Sequence, residues 1–451
     1  MHEVRDALHV FVRYDEDEKR VIESAPFQRL RYVHQLALSF LVYPGATHRR
    51  FEHSLGVMEL AGRIYDVVTR DDGKMSDAAR ELLPNDRERA YWRATLRMAA
   101  LCHDTGHLPF SHAAEERLLP DGWDHERITW EIIHCPIMGA VWSTMRPKPD
   151  PDDVGKLALG PRKVEKLKLG LSFTPWEAIL AEIIVGDVFG ADRIDYLLRD
   201  SLHTGVAYGR FDHHRLIDTL RILPRPPQER GESAGAEEGE GELTLGCERG
   251  GLESAEALLL ARYFMFAQVY YHPTRLIYDQ HLVDFLSAWL PRGRFATTID
   301  GHLARGDNEV LSAIAAAAAK PSAKGHDAAR RIVKREHFRV VYQRRPEDTG
   351  GATEAIARAT AEKFDAGLVR YAASPRRGEP PDFPVRDRDG RSVSSLSSSD
   401  VLARLPASRD EYVFVDEPLR VRAKNWIKHE RESILQTALT ETDDKQEGVS
   451  K

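Results

Sequence analysis

RAYWRATLRMAALCHDTGHLPFSHAAE, residues 89–115, decides the fold. Trp92, Leu96, Ala99 and His103 recur at i, i+4, i+7 and i+11, which is one stripe of a helix. An apolar stripe belongs to a buried face, so the histidine that ends it points inward. Asp104 follows it directly. Gly106 and Pro109 stop the helix, which places the His103–Asp104 pair at a helix end, where adjacent side chains can converge. His107 and His112 lie in the same stretch, and His125 follows in WDHE (123–126). Packing alone gives no reason for so many imidazoles around one helix end.

Upstream, RFEHSLGVMELAGRIYDVV (50–68) repeats the device. His53, Val57, Leu60 and Ile64 share the same spacing, so a second apolar stripe carries a second histidine. A buried unpaired carboxylate is costly. A divalent cation would satisfy Asp104 together with both imidazoles. Downstream, a helix expected from about Trp176 to Ser201 contains ADRIDYLLRD (191–200), with Asp192, Tyr196 and Arg199 or Asp200 on one face. Asp192 taken alone fits a solvated helix face; with a metal site short of one ligand, it is the best candidate for the fourth. Two imidazoles and two carboxylates suit manganese, iron, magnesium, zinc, nickel or cobalt without choosing among them. Four protein ligands on a six-coordinate ion leave positions for water and a phosphoryl oxygen, the chemistry of a metal-dependent phosphohydrolase.

The rest of the 451 residues is read more coarsely. Hydrophobic residues make up 42% and charged residues 30%, an ordinary globular balance. The formal charge of −7 argues against a protein that coats duplex DNA, while leaving a small polyanionic substrate open. Three cysteines without a CxxC pair indicate neither a disulfide framework nor a thiolate zinc cage. No secretory segment or membrane-length apolar run is seen, so a cytoplasmic location and no membrane association are expected. The fold class expected is mainly α, with a helical core over 1–223 and its continuation over 245–335. Between them lies an acidic Gly/Glu-rich insertion, 224–244. An α+β C-terminal lobe follows over 336–451, with a Pro/Ser-rich linker at 374–400. The β-like stretches 338–348 and 410–423 could pair in a small sheet. His34, His134, His213 and His214 are expected to be surface or structural residues, and Arg199 could be a helix-surface partner of Asp195 at i−4.

Read together, these blocks resemble a known family. H…HD…D is the signature of the HD-superfamily phosphohydrolases. FQRLRYVHQLALSFLVYPGATHRRFEHSLGV (27–57), LCHDTGHLPFSHAAE (101–115), WDHE (123–126) and DRIDYLLRDSLHTGV (192–206) look like its deoxynucleoside triphosphate triphosphohydrolase branch, which includes the sterile-alpha-motif/HD dNTPase. The resemblance implies an HD-domain helical core with His53, His103, Asp104 and Asp192 as metal ligands. It implies His107, His112 and His125 as catalytic pocket histidines that contact phosphates and move protons. Arg50 and Arg193 fall on phosphate contacts; Gln35, Tyr196 and Asp200 fall on residues that line the sugar. Arg275 and Tyr278 lie where further substrate contacts could arise.

The sequence departs from the family pattern in places. QLG reads Gln35-Leu36-Ala37, the DPVHG-type segment tied to nucleotide allostery reads DALHV (6–10), and Arg49 replaces a small polar residue. The expected activity is hydrolysis of a dNTP to a deoxynucleoside and inorganic triphosphate. A nucleotide effector and a homo-oligomer, dimer or tetramer, follow from the resemblance alone. The competing readings are an HD phosphodiesterase, single-strand nuclease or other nucleotide phosphohydrolase, and a nucleotide-binding regulatory module. Gln35, Tyr196 and Asp200 favour the dNTP over nucleic acid, and the full ligand set argues against a module without turnover.

Overall fold

Arg50–Val68 forms a 19-residue helix that carries the first stripe. At its start Glu52 accepts the Arg49 backbone N–H (2.7 Å), so a first-turn carboxylate satisfies a donor the helix itself cannot. Phe51, Leu55, Val57, Met58, Leu60 and Ile64 are all buried, and His53 among them is completely so. Asp86–Cys102 packs against this helix. Asn85 caps it by accepting from the Arg87 and Glu88 N–H groups, both at 3.1 Å. Thr95–Cys102 is buried throughout, so the second stripe delivers His103 to the interior at the helix C-terminus.

The structure is a computed structural model. It describes residues 1–449 except 74, 112–114, 116, 227–241, 349, 375–380 and 407–409, and for 439–449 the helix alone. His112 and most of the acidic insertion expected at 224–244 therefore lie outside the described residues. The class is mainly α, as expected, with small sheets. No helix among the described residues is long and apolar enough to cross a membrane.

The helix expected over Trp176–Ser201 is two helices, Pro175–Val185 and Ala191–Thr204. The break is GDVFG (186–190). A Cβ at Gly186 would stand 2.4 Å from the Glu182 carbonyl oxygen, so the chain turns where a side chain would not fit. Asp192 thereby sits in the first turn of its own helix. Gly106 allows a similar close approach: a Cβ there would meet the His125 carbonyl oxygen at 2.1 Å and the Thr129 nitrogen at 2.4 Å. The loop after the HD pair can thus lie against the His125–Ile133 helix.

The chain forms two compact units. The first comprises Met1–Met265, Arg294–Val310 and Glu379–Pro406 and contains every candidate ligand. It opens with a hairpin of β1 (His2–Asp6) and β2 (Val10–Tyr14), which the sequence reading had not separated from the helical region. β3 (Leu220–Pro224) and β4 (Leu243–Glu248) flank the insertion and pair antiparallel. The Pro/Ser-rich stretch read as a linker also carries structure. Pro384–Arg386 pairs parallel with β4 and antiparallel with Ser392–Ser394. Phe383 and Val385 are buried there, which is too few apolar residues to announce a strand in sequence.

The second unit comprises Phe266–Gly293, Leu311–Gly378 and Ala407–Lys451. The two β-like stretches do pair. Arg339–Gln343 and Val369–Ala373 flank Glu411–Val415, all antiparallel. The strand stops at Val415, because Asp416 caps the next turn and a long helix starts at Arg420. Ile356, Val413, Val415, Ala423 and Ile427 form this unit's core.

Candidate metal centre

His53, His103, Asp104 and Asp192 converge. His53 Nε2 is 3.1 Å from Asp192 Oδ1 and 3.7 Å from Asp104 Oδ2. His103 Nε2 is 3.4 Å from Asp104 Oδ1 and 3.7 Å from Asp192 Oδ1. One ligand atom from each of His53, His103 and Asp104 lies within 4.8 Å of the others. His103 Nδ1 donates to the Ala100 carbonyl (2.8 Å), which leaves Nε2 to face the carboxylates; burial opposes charge on the ring, but Asp104 and Asp192 raise its pKa. That Nε2 is buried and makes no hydrogen bond. A buried ring nitrogen that faces two carboxylates without a hydrogen bond calls for positive charge at its edge, which a shared cation supplies. The donor set therefore fits a divalent metal.

The charges agree. Burial by itself would lower the His53 pKa, but Asp192, Asp195 and Asp104 override it and raise it to about 10. Burial likewise opposes the charge on Asp104, and Arg50, His103 and His107 hold its carboxyl well below the usual range. Asp192 is lowered in the same way by His103 and His53. The cluster thus draws positive charge to its centre.

Behind His53 lies a network the sequence did not reveal. His53 Nδ1 donates to Asp195 Oδ2 (2.8 Å). Arg199 grips Asp195 at 2.7 and 3.0 Å and Asp6 at 2.8 and 3.3 Å. Asp195 and Arg199 are completely buried, so the i, i+4 pair is an interior one and not a surface one. Their i, i+4 spacing was visible, but nothing local says which face meets another helix. Gly56 makes the meeting possible, since a Cβ there would stand 2.0 Å from Asp195 Oδ1.

From the start of the Arg50–Val68 helix, Arg50 pairs with Asp104 and donates to Ser111 Oγ (2.9 Å). His107 Nε2 is 3.2 Å from Asp104 Oδ1. The His107 and His125 rings stack with centroids 4.0 Å apart. His125 Nδ1 bonds to Glu115 (2.7 Å). Burial, then Arg50 and His125, push the His107 pKa down to about 3. Burial also disfavours charge on His125, but Glu115 raises its pKa above the usual value. Nothing in the sequence around Glu115 marks it as the partner of His125.

The other candidates are placed as follows. Asp200 Oδ1 bonds to His48 Nε2 (2.7 Å), and the Gln35 N–H bonds to the His48 carbonyl (3.0 Å), so buried His48 links the two. Gln35 Oε1 is buried without a hydrogen bond. Tyr196 is half-buried, one turn from Asp192. Arg193 donates to the Gly186 carbonyl (2.9 Å) and pairs with Asp187 (2.8 Å). His34 is buried against Asp307 and is therefore structural, whereas His134 and His214 are exposed and His213 is half-buried. In the second unit, Arg275 pairs with Asp279 and Tyr278 is fully buried beside His337.

The HD domain family matches residues 50–135, and the HD associated region family matches residues 211–368. A crystal structure of a hypothetical protein from Aquifex aeolicus is similar over 94% of this chain and 99% of that one, with 30% identity and a TM-score of 0.73. The chain belongs to the HD-domain phosphohydrolase family. Among HD-domain relatives, an uncharacterized protein of Methanocaldococcus jannaschii is 33% identical over 62% of this chain and 48% of its own length. The uncharacterized YwfO of Bacillus subtilis is 32% identical over 60% of this chain and 51% of its own length. The deoxynucleoside triphosphate triphosphohydrolase of Homo sapiens is 30% identical over 49% of this chain and 36% of its own length. The chain thus spans about half the length of the first two relatives and about a third of the human one. The HD match contains His53, His103 and Asp104, while Asp192 falls outside both matched ranges.

Proposed function

We propose that this chain hydrolyses deoxynucleoside triphosphates to a deoxynucleoside and inorganic triphosphate in a reaction that depends on a divalent metal. The observation that carries this reading is the meeting, around the buried loop that follows the HD pair, of a cation-seeking His/Asp cluster with Arg50 and the stacked His107–His125 pair. A metal held by His53, His103, Asp104 and Asp192 would supply Lewis acidity toward a phosphoryl oxygen and acidify an adjacent water. Arg50 offers a guanidinium to phosphate. His107 is held neutral while Glu115 favours the charged form of His125. Opposed proton states side by side suit one ring to accept a proton and the other to donate one.

His112 belongs to the same proposed set of pocket histidines. Arg193 would exchange Asp187 for phosphate. Gln35 and Asp200 would hold the 3′-hydroxyl, Gln35 through its unsatisfied Oε1, while Tyr196 crowds the 2′ carbon and disfavours ribonucleotides. A homo-oligomer, a nucleotide effector and a cytoplasmic location belong to the same proposal, supported by the resemblance to the triphosphohydrolase branch. Chromatographic product analysis tests it. Each dNTP and a single-stranded oligonucleotide are incubated with Mn²⁺, Mg²⁺, Fe²⁺ or Co²⁺ in turn. Triphosphate release from a dNTP is expected; cleavage of the oligonucleotide with every dNTP intact would overturn the reading.

A further inference from the structure

His9 lies in the turn of the β1–β2 hairpin, far in sequence from any candidate ligand. Its Nε2 is 2.7 Å from Asp195 Oδ1, and its side chain is almost fully buried. The other Asp195 oxygen accepts from His53 Nδ1 at 2.8 Å. Arg199 donates to both oxygens, through Nε to Oδ2 and Nη2 to Oδ1. All four acceptor sites of this buried carboxylate are therefore in use, two by Arg199, one by His53 and one by His9. The hairpin supplies a second anchor. Asp6 holds the far side of Arg199 and accepts the Leu8 and His9 backbone N–H groups at 2.9 and 2.8 Å, which fixes the turn that presents His9.

We propose that His9 is a positioning residue for the metal: through Asp195 it sets the ring orientation and tautomer of His53, so the N-terminal hairpin is part of the metal centre. A carboxylate with all its acceptor sites filled cannot swing. His53 then donates from Nδ1 and keeps Nε2 for the cation. Loss of the His9 donor leaves Asp195 Oδ1 with Arg199 Nη2 alone, so the carboxylate can shift, and the imidazole loses the aim that brings Nε2 toward Asp104 and Asp192. Groups that orient a metal-bound histidine in this way are worth roughly 10–100-fold in metal affinity. A hairpin that merely packed against the core would add stability without changing metal affinity.

The inference rests on the metal-dependent reading, and its test is a metal titration without substrate. Mn²⁺ binding is measured by the loss of the free-ion EPR signal for the native chain, His9→Ala, His9→Gln and Val12→Ala. Val12 is a fully buried residue of the same hairpin that does not touch Asp195 in any hydrogen bond, so it reports hairpin packing alone. His9→Ala is expected to weaken Mn²⁺ binding about 10-fold or more. His9→Gln, which keeps an N–H donor, should recover most of the loss, and Val12→Ala should bind within about twofold of native. Native-like affinity in His9→Ala, or an equal loss in Val12→Ala, overturns the proposal. Should His9→Ala fail to fold, ¹⁵N-histidine spectra of the native chain decide, with His9→Gln used for assignment. Saturating Zn²⁺ must shift the His9 ring nitrogens, and unshifted resonances refute the coupling. A native chain that binds no Mn²⁺ or Zn²⁺ defeats the metal reading itself, whereas metal binding indifferent to His9 defeats this inference alone.

Discussion

His53 in the first unit and His281 in the second are both buried, and burial pushes both toward the neutral form. They end on opposite sides of the ordinary value. Asp192, Asp195 and Asp104 face His53 and raise it to about 10. Burial and then Arg331 and Arg370 lower His281 to about 3, and its Nε2 accepts the Phe338 backbone N–H. The first is held by charges that a cation would satisfy; the second is a neutral acceptor within a packed core. Burial alone therefore says nothing about whether a histidine seeks a metal. The sign of its neighbours' charge decides.

The largest expected effect breaks the acidic side of this contrast. Asp104→Ala should abolish stoichiometric metal, read by elemental analysis, and reduce hydrolysis by about three orders of magnitude or more. A variant that kept both would remove Asp104 from the site. Next comes Arg199→Met, which leaves Asp195 and Asp6 as buried carboxylates without their guanidinium. Urea unfolding should show a loss of about 3–5 kcal/mol. A loss below about 1 kcal/mol would mean that the pair behaves as an exposed one.

Two smaller effects sharpen the contrast through protons. The His53 pKa is raised on folding, so its proton-linked stabilisation is complete below about pH 6.5 and fades as pH rises through about 10. A metal at Nε2 must displace that proton. Mn²⁺ affinity should therefore climb with pH between about 7 and 9, with proton release seen by calorimetry in buffers of different ionisation enthalpy. At 100 times its Kd, Mn²⁺ should stabilise the folded chain by about 2.7 kcal/mol. Affinity independent of pH would contradict a proton held at the ligand position.

His281 has the opposite sign. Its folded pKa is depressed, so the unfolded chain takes up the proton first. Stability should fall as pH drops from about 6.5 toward 3, by at most about 1.4 kcal/mol per pH unit from this group. His281→Gln, whose amide oxygen can accept the Phe338 N–H, should flatten that slope in pH-dependent unfolding. An unchanged slope would assign the acid sensitivity elsewhere. His337, lowered to about 4, is the next candidate.

Much of the site was legible because helical spacing is a local property. His53 and His103 each continue an apolar stripe, and both stripes are buried as their periodicity requires. The stretches around Val341 and Val413 announce themselves as strands because β-like composition is equally local. Asp192 was harder to read, because the helix expected over Trp176–Ser201 concealed the GDVFG break that starts a new helix one residue before it. Asp195 and Arg199 could equally have been a surface pair. An i, i+4 ion pair looks the same in sequence whether it faces water or another helix. His48, which joins Gln35 to Asp200, had no periodic pattern to mark it.

Two buried helices, each delivering a histidine, and a carboxylate that needs a counter-charge beside one of them can be read from the chain alone. Those follow from 3.6-residue periodicity and the cost of burying charge, and neither needs a partner element to be known. Which oxygens face which nitrogens emerges from the packing. Asp195 meets His53 across 142 residues of chain and His9 across 186, and Gly56 leaves the room for the helices to close. Contacts at such separations depend on how whole helices pack, which no local spacing encodes. The stripes brought two histidines inward; the packing of a third helix and an N-terminal hairpin gave one of them its aim.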